Sequence, residues 1–426
     1  MDSVVILYAT PFFLLLIAIE LLAEKVRNTD FYRVNDAFGS LALGITSQST
    51  LLIKLSIGAY VISTLLGEWK LAQWSAASPW TWIITFIGYD LTYYWKHRCA
   101  HTVNFWWAGH AIHHSSEEFN LTTALRQTSS SVFGWVFSIP LLWLGAPLDV
   151  FLTCAALNLV YQYWVHTRHI KRLGWLEQVM VTPSHHRVHH GQNAVYVDKN
   201  HGGVFIIWDK LFGTFQRELD EVPVIYGVRR PLQRFNPLSA NFQVWASLIG
   251  DAWRTRSWWD KLRIWFMPTG WRPADMQCNY PLAKTDLDDF HKYDPVNSAA
   301  VKWFAVFQLT AAVPVSVGLA GYLQGLPYTA VFFCWSLVTA PLITTGLLLE
   351  GRKSALTVEM LRLLASGVVF ILMGAALTGM AWWYVLAYLS VNSVWWLILW
   401  RSGSAGDSEM RRASGDLVTA GEGGPS

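Results

Sequence analysis

The chain has 426 residues, of which 53% are hydrophobic and 14% charged, with a formal net charge of +3 and 25 tryptophans. Soluble domains carry about 25% charged residues, so this composition belongs to the membrane class, and the small net charge gives no footprint for a nucleic-acid partner. The cysteines Cys99, Cys154, Cys278 and Cys334 are scattered, which excludes a CxxC pair and argues against a disulfide framework. The chain also has no haem-attachment CxxCH, HExxH helix, P-loop or GxGxxG fingerprint.

Residues 4–22 are apolar over a membrane-spanning length and lack the basic start and cleavage site of a signal peptide, so a retained helix is expected. Residues 41–66 form a second candidate span, in which Lys54 must snorkel, face protein or line a cavity. A third, residues 79–95, carries Asp90 and runs directly into His97. Residues 131–165 are apolar but broken by Pro140 and by Gly145-Ala146-Pro147, which predicts two shorter segments folded back as a hairpin. Such a hairpin returns His166 to the face the chain left.

From His166 to about Ala300 nothing is long and apolar enough to span, and basic residues recur from Arg168 to Arg263, which places this stretch on the cytoplasmic face. Within it, residues 245–266 mix Trp, Ile and Leu with Arg and Lys at helical intervals, as an interfacial or a solvated amphipathic helix would. Four further spans follow at 301–319, 329–349, 357–380 and 382–400, and the Gly- and Ser-rich tail after Arg401 reads as disordered. Loop charges agree with this layout. Lys25, Arg27 and Arg33 lie on one side with Arg352 and Lys353, whereas the loop after Leu66 has only Lys70 and residues 324–327 have no basic residue. The expected fold is all-α: a polytopic integral membrane helical bundle with its histidines on the cytoplasmic face. Its expected divisions are N-terminal helices (1–78), a catalytic domain (79–220), an interfacial segment (221–300), a four-helix membrane region (301–400) and the tail (401–426).

Eleven of the thirteen histidines fall between His97 and His190. They are grouped as HxxxH (His97, His101), HxxHH (His110, His113, His114), HxxH (His166, His169) and HHxxHH (His185, His186, His189, His190). On a helix, residues three and four apart share a face, so each group aims imidazoles at a common point. One isolated HxxxH is ordinarily a pair of helix-end or interfacial histidines, but four groups reverse that reading. A histidine-rich, carboxylate-poor set larger than one zinc requires favours a dinuclear centre. Asp90, seven residues before His97 and eleven before His101, is the first candidate to accept an imidazole N–H and orient it. Glu117, Glu118, Asn120 and Asp198 flank the groups and are further candidates. The lone His201 and His291 read as ordinary polar residues, and His169 and His185 are left open. Beneath apolar helices, such a site suits O2-dependent oxidation of a lipid C–H bond, with the substrate entering from the bilayer.

The order HxxxH, HxxHH, a lone His after Trp-Val, then HxxHH resembles the fatty acid hydroxylase and sterol desaturase superfamily of membrane di-iron oxygenases. The strings WWAGHAIHHSS (106–116), TALRQ (123–127), YWVHT (163–167), TPSHHRVHHG (182–191), DKN (198–200) and IWDKLFGTF (207–215) are similar to its glyceryl-ether-oxidising branch. The resemblance implies a metal set of His97, His101, His110, His113, His114, His166, His186, His189 and His190 holding two iron ions. It further implies hydroxylation of the ether carbon of a glyceryl ether, giving a fatty aldehyde, with tetrahydrobiopterin or an external electron donor as reductant. No fused cytochrome b5 motif is present, so electrons come from a redox partner or a soluble reductant. Thr102 stands after the first box, where the animal members of that branch carry an acidic residue. The competing readings are a sterol or fatty-acyl hydroxylase or desaturase on the same centre, and a non-catalytic, metal-stabilised membrane protein.

Overall fold

The computed structural model describes residues 2–47, 69–322, 328–373 and 380–402. Among the described residues there is no strand, only three isolated bridges, and the regular structure is helical as expected. The first helix, α1, runs Asp2–Arg27, and α2 covers residues 34–47. The remainder of the second expected span, with Lys54, lies outside the described residues, as do Cys334's side chain and the tail from residue 403.

Helix α3 (Pro79–Thr102) is continuous through Asp90, His97 and His101 and starts on Pro79, whose missing N–H costs nothing in a first turn. Val103 is extended and ends it, and α4 (Asn104–His114) begins at once. A short α5 (Leu121–Ala124) is capped by Asn120, whose side chain accepts from the Thr122 N–H. The expected break in 131–165 is present. A 3₁₀ turn (Gly134–Ser138) leads into α6 (Ile139–Leu144), and α7 (Leu148–Trp164) follows after Gly145. Gly145 has φ +123 and packs against the Ala72 backbone, so the turn requires glycine on both counts. Short helices α8 (Pro183–His189) and α9 (Ile207–Leu211) close the region.

The single amphipathic helix expected over 245–266 is two: α10 (Pro237–Arg254) and α11 (Trp258–Arg263). Asp275, at the start of α12 (Ala274–Asn279), causes the break by accepting from the Thr255 hydroxyl and the Arg256 N–H, while Ser257 caps α11. Trp253, Trp258, Trp259 and Phe266 remain exposed on these helices and the turn after them.

The described residues of Met1–Arg33, Thr50–Leu232 and Asn241–Lys292 form one compact unit, and those of Val34–Ser49, Gln233–Ala240 and Tyr293–Ser426 form another. The second holds α2 and the C-terminal helices α13 (Ala299–Tyr322), α14 (Tyr328–Leu349), α15 (Ala355–Met373) and α16 (Met380–Arg401). Its core is built from Phe38, Phe304, Leu342, Leu349 and Leu399. Inside this apolar packing lies a buried polar knot. Arg362 donates to both Glu359 oxygens and to Asn392, which also accepts from Gln308, and Thr344 donates to Glu359. Every charge in the knot is partnered, as burial in apolar surroundings requires. Among the described residues two helices are long and apolar enough to cross a membrane, over Ala299–Ser316 and Trp382–Arg401.

Candidate metal centre

The first unit gathers the histidines. Residues 97 and 101 are four apart on α3 and share a face. On α4, His110 and His114 form an i,i+4 pair, while His113 is turned about 100° from His114. His166 follows the C-terminus of α7. Thr182 and Pro183 start α8, so that His186 and His190 form another i,i+4 pair with His189 turned away from them.

These faces converge as two groups. His97, His101, His110, His114 and His189 form one, and His113, His166, His186 and His190 form the other, with the ligand atoms of each within 4.8 Å of one another. Each HxxHH box therefore serves both groups. The i,i+4 pair of α4 joins the first group and its middle histidine the second, and the assignment is reversed for α8.

Backbone carbonyls hold the outer nitrogens. Nδ1 of His97 lies 2.9 Å from the His201 oxygen, that of His113 3.0 Å from Arg126, that of His166 2.8 Å from Gln162, and that of His189 2.9 Å from Lys199. A carbonyl only accepts, so these Nδ1 atoms carry the protons. Burial first, then neighbouring imidazoles, pushes the pKa of His166, His186 and His190 well below the usual histidine range, and burial sets His113 at about 4. In these neutral rings a protonated Nδ1 leaves Nε2 bare. Yet the Nε2 atoms of His113 and His166 face each other at 3.5 Å, and those of His97 and His110 at 3.0 Å. Between His113 and His166 no hydrogen is left to share. The arrangement suits a cation, since two ligands about 2.1 Å from one ion at right angles lie about 3 Å apart. Nε2 of His189 and Nδ1 of His186 are buried without a hydrogen-bond partner among the described residues.

Asp90 does not contact these rings. Seven residues at 1.5 Å rise put it about 10 Å along α3 from His97, on the same face but out of imidazole reach. Its carboxylate instead accepts from Asn158 Nδ2 (2.6 Å), the Val204 and Phe205 N–H groups (2.8 and 3.0 Å) and Trp208 Nε1 (2.9 Å). Asp209 complements it, accepting from the His201 and Gly202 N–H groups and the Thr214 hydroxyl. Together they pin the loop whose Lys199 and His201 carbonyls orient His189 and His97. Of the other flanking candidates, Asp198 comes within 3.6 Å of His101 Nδ1. Glu118 is held by Arg33 and Lys292, and Asn120 caps α5.

The structure leaves His169 and His185 outside both groups. His169 packs on Phe31 and accepts Arg27 at its carbonyl, and His185 takes part in the capping box of α8. His291 is exposed beside Asp289. His201, read from sequence as an ordinary polar residue, is fully buried, and burial sets its pKa at about 3. Sequence reading also passed over Phe119, stacked on His166 at 5.5 Å, and Arg187. The Arg187 guanidinium donates to the Thr167 and Ile170 carbonyls and to both Glu218 oxygens, tying α8 to the segment after His166. An arginine set between histidines, with acidic residues downstream, is the signal the sequence offers.

Residues 82–214 match the fatty acid hydroxylase family model, which defines the class of the histidine-bearing region. Over a longer span the chain is 36% identical to human alkylglycerol monooxygenase, covering 84% of this chain and 80% of that one, and 33% identical to the Xenopus tropicalis alkylglycerol monooxygenase with the same coverage. An ornithine lipid hydroxylase of Rhizobium tropici is 36% identical over 29% of this chain and 38% of its own. No solved structure matches. The chain belongs to the alkylglycerol monooxygenase family.

Proposed function

We propose that this chain is a membrane-bound di-iron monooxygenase that hydroxylates the ether carbon of a glyceryl ether. The observation that carries the reading is the convergence of nine imidazoles into two groups, with the Nδ1 atoms of His97, His113, His166 and His189 held by backbone carbonyls so that their Nε2 atoms are left for a cation. His97, His101, His110, His114 and His189 hold one ion, and His113, His166, His186 and His190 the other. When bound, iron supplies the O2-dependent redox chemistry that zinc lacks.

The reaction balances as one O2, two electrons and two protons converting the ether CH2 to CH(OH) with release of water. The hemiacetal C–O bond then breaks, its hydroxyl proton passes to the departing glycerol oxygen, and a fatty aldehyde remains. The electrons come from tetrahydrobiopterin or an external redox partner. The protein's share is to hold the imidazoles in one tautomer, to exclude bulk water through rings such as Phe119, and to orient an otherwise featureless hydrocarbon.

In this reading the catalytic domain spans 79–220, and the chain is polytopic with its histidines on the cytoplasmic face. The segment 221–300 lies at the interface with its exposed tryptophans against lipid headgroups, and the helices of 301–400 anchor the enzyme. The test is aerobic incubation of the purified chain with an alkylglycerol, with and without reduced pterin, followed by aldehyde trapping and mass spectrometry. Aldehyde release supports the proposal. A hydroxylated or desaturated acyl or sterol product without aldehyde overturns the substrate assignment.

A further inference from the structure

His201 belongs to neither histidine group, yet its ring packs against the five-histidine one, with centroids 5.0 Å from His101, 5.7 Å from His189 and 5.8 Å from His97. The side chain has no solvent exposure; the Asp198 backbone carbonyl faces its ring, and neither ring nitrogen makes a well-formed hydrogen bond among the described residues. This is unusual chemistry to bury, because a neutral imidazole always carries one N–H donor and one bare acceptor, and each unmet group costs free energy that a phenyl ring would not. The placement is built in by the backbone. The His201 N–H donates to Asp209 at 2.7 Å, and its carbonyl accepts from His97 at 2.9 Å. Asp198 and Asn200, three residues and one residue before it, hold φ values of 58° and 56°, a left-handed conformation that Asp and Asn tolerate better than most residues with a side chain.

We propose that His201 is a positioning residue that hydrogen-bonds a small non-protein ligand, water-derived or a compact anion, seated at the five-histidine metal position. The inference rests on the dimetal reading above. Five imidazoles leave a place open on an octahedral ion. His201 stands beside that group with no well-formed hydrogen bond at either ring nitrogen, and it is not one of the five residues whose ligand atoms lie within 4.8 Å of one another.

The experiment uses the full chain in detergent, loaded with cobalt(II) in place of iron, and follows azide binding by visible absorption alongside metal content. Wild type is expected to take up two cobalt ions and bind azide. His201→Phe keeps both ions but binds azide about tenfold more weakly, the loss of one hydrogen bond to a charged ligand. His201→Gln, which retains an N–H donor, recovers most of the affinity. His201→Leu is read in the same way as a second apolar replacement. Equal azide affinity in wild type and either apolar variant overturns the proposal. So does loss of cobalt from those variants, which makes His201 a ligand. A wild-type chain that takes up no cobalt overturns the dimetal reading and this inference with it.

Discussion

Nδ1 of His113 sits 3.0 Å from the carbonyl oxygen of Arg126, thirteen residues further along the chain. That contact fixes the tautomer of the middle histidine of its box and turns Nε2 toward His166. His113→Ala is therefore expected to empty the four-histidine position alone, leaving one of two ions and no lipid oxidation. His169→Ala, outside both groups, retains both ions and most activity. Metal analysis of the two purified variants separates these outcomes, and equal metal content in both would remove His113 from the site.

Asp90 accepts four hydrogen bonds in full burial. Replacing it by Ala strands four buried donors, each costing about 1–3 kcal/mol, so Asp90→Ala is expected to destabilise the chain by about 3 kcal/mol or more. Asp90→Asn, which keeps one acceptor oxygen, should fall between. Denaturation midpoints in detergent order the three proteins, and an Ala variant as stable as wild type would show that the loop is held by other contacts.

Glycines give a contrast in sign. A Cβ at Gly203 would meet Asp90 Oδ1 at 2.8 Å and Asn158 Oδ1 at 2.9 Å, so Gly203→Ala is expected to cost about 1–3 kcal/mol by overpacking. At Gly250, inside α10, a Cβ meets only an Arg254 nitrogen at 3.9 Å, and Gly250→Ala should stabilise by about 1 kcal/mol through helix propensity. Thermal melts of the pair check both signs.

Arg187 forms a two-pronged pair with Glu218 and also serves two carbonyls. Lysine keeps the charge but not the planar fork, so Arg187→Lys is expected to cost about 2 kcal/mol and to lower metal retention. An Arg187→Lys chain that melts and binds metal like wild type would contradict this.

The histidine groups were legible because helix periodicity is local: spacings of three and four put side chains on a face whatever surrounds them. Periodicity also contains the split of each HxxHH box, since His113 and His189 are each turned about 100° from the adjacent histidine. What pairs those faces is tertiary, and the crossing of His189 to the group of His97 follows from how α8 meets α3. Asp90 shows the limit from the other side. Periodicity puts it on the histidines' face, but rise along the axis carries it out of reach, and three of its four partners, Val204, Phe205 and Trp208, lie more than a hundred residues away. His201 reads from sequence as an ordinary polar residue because a lone histidine has no spacing to read, and its burial comes from the fold around it. The break between α10 and α11 was hidden similarly, depending on Asp275 beyond the predicted helix.

The central claim is that nine histidines hold two metal ions, and its most direct test is the iron content of the detergent-purified chain reconstituted anaerobically with ferrous iron and freed of excess metal. The account predicts two irons per chain, one in either His166→Ala or His189→Ala, and none in the double variant. A wild-type chain that binds no iron, or a double variant that keeps two, would contradict it.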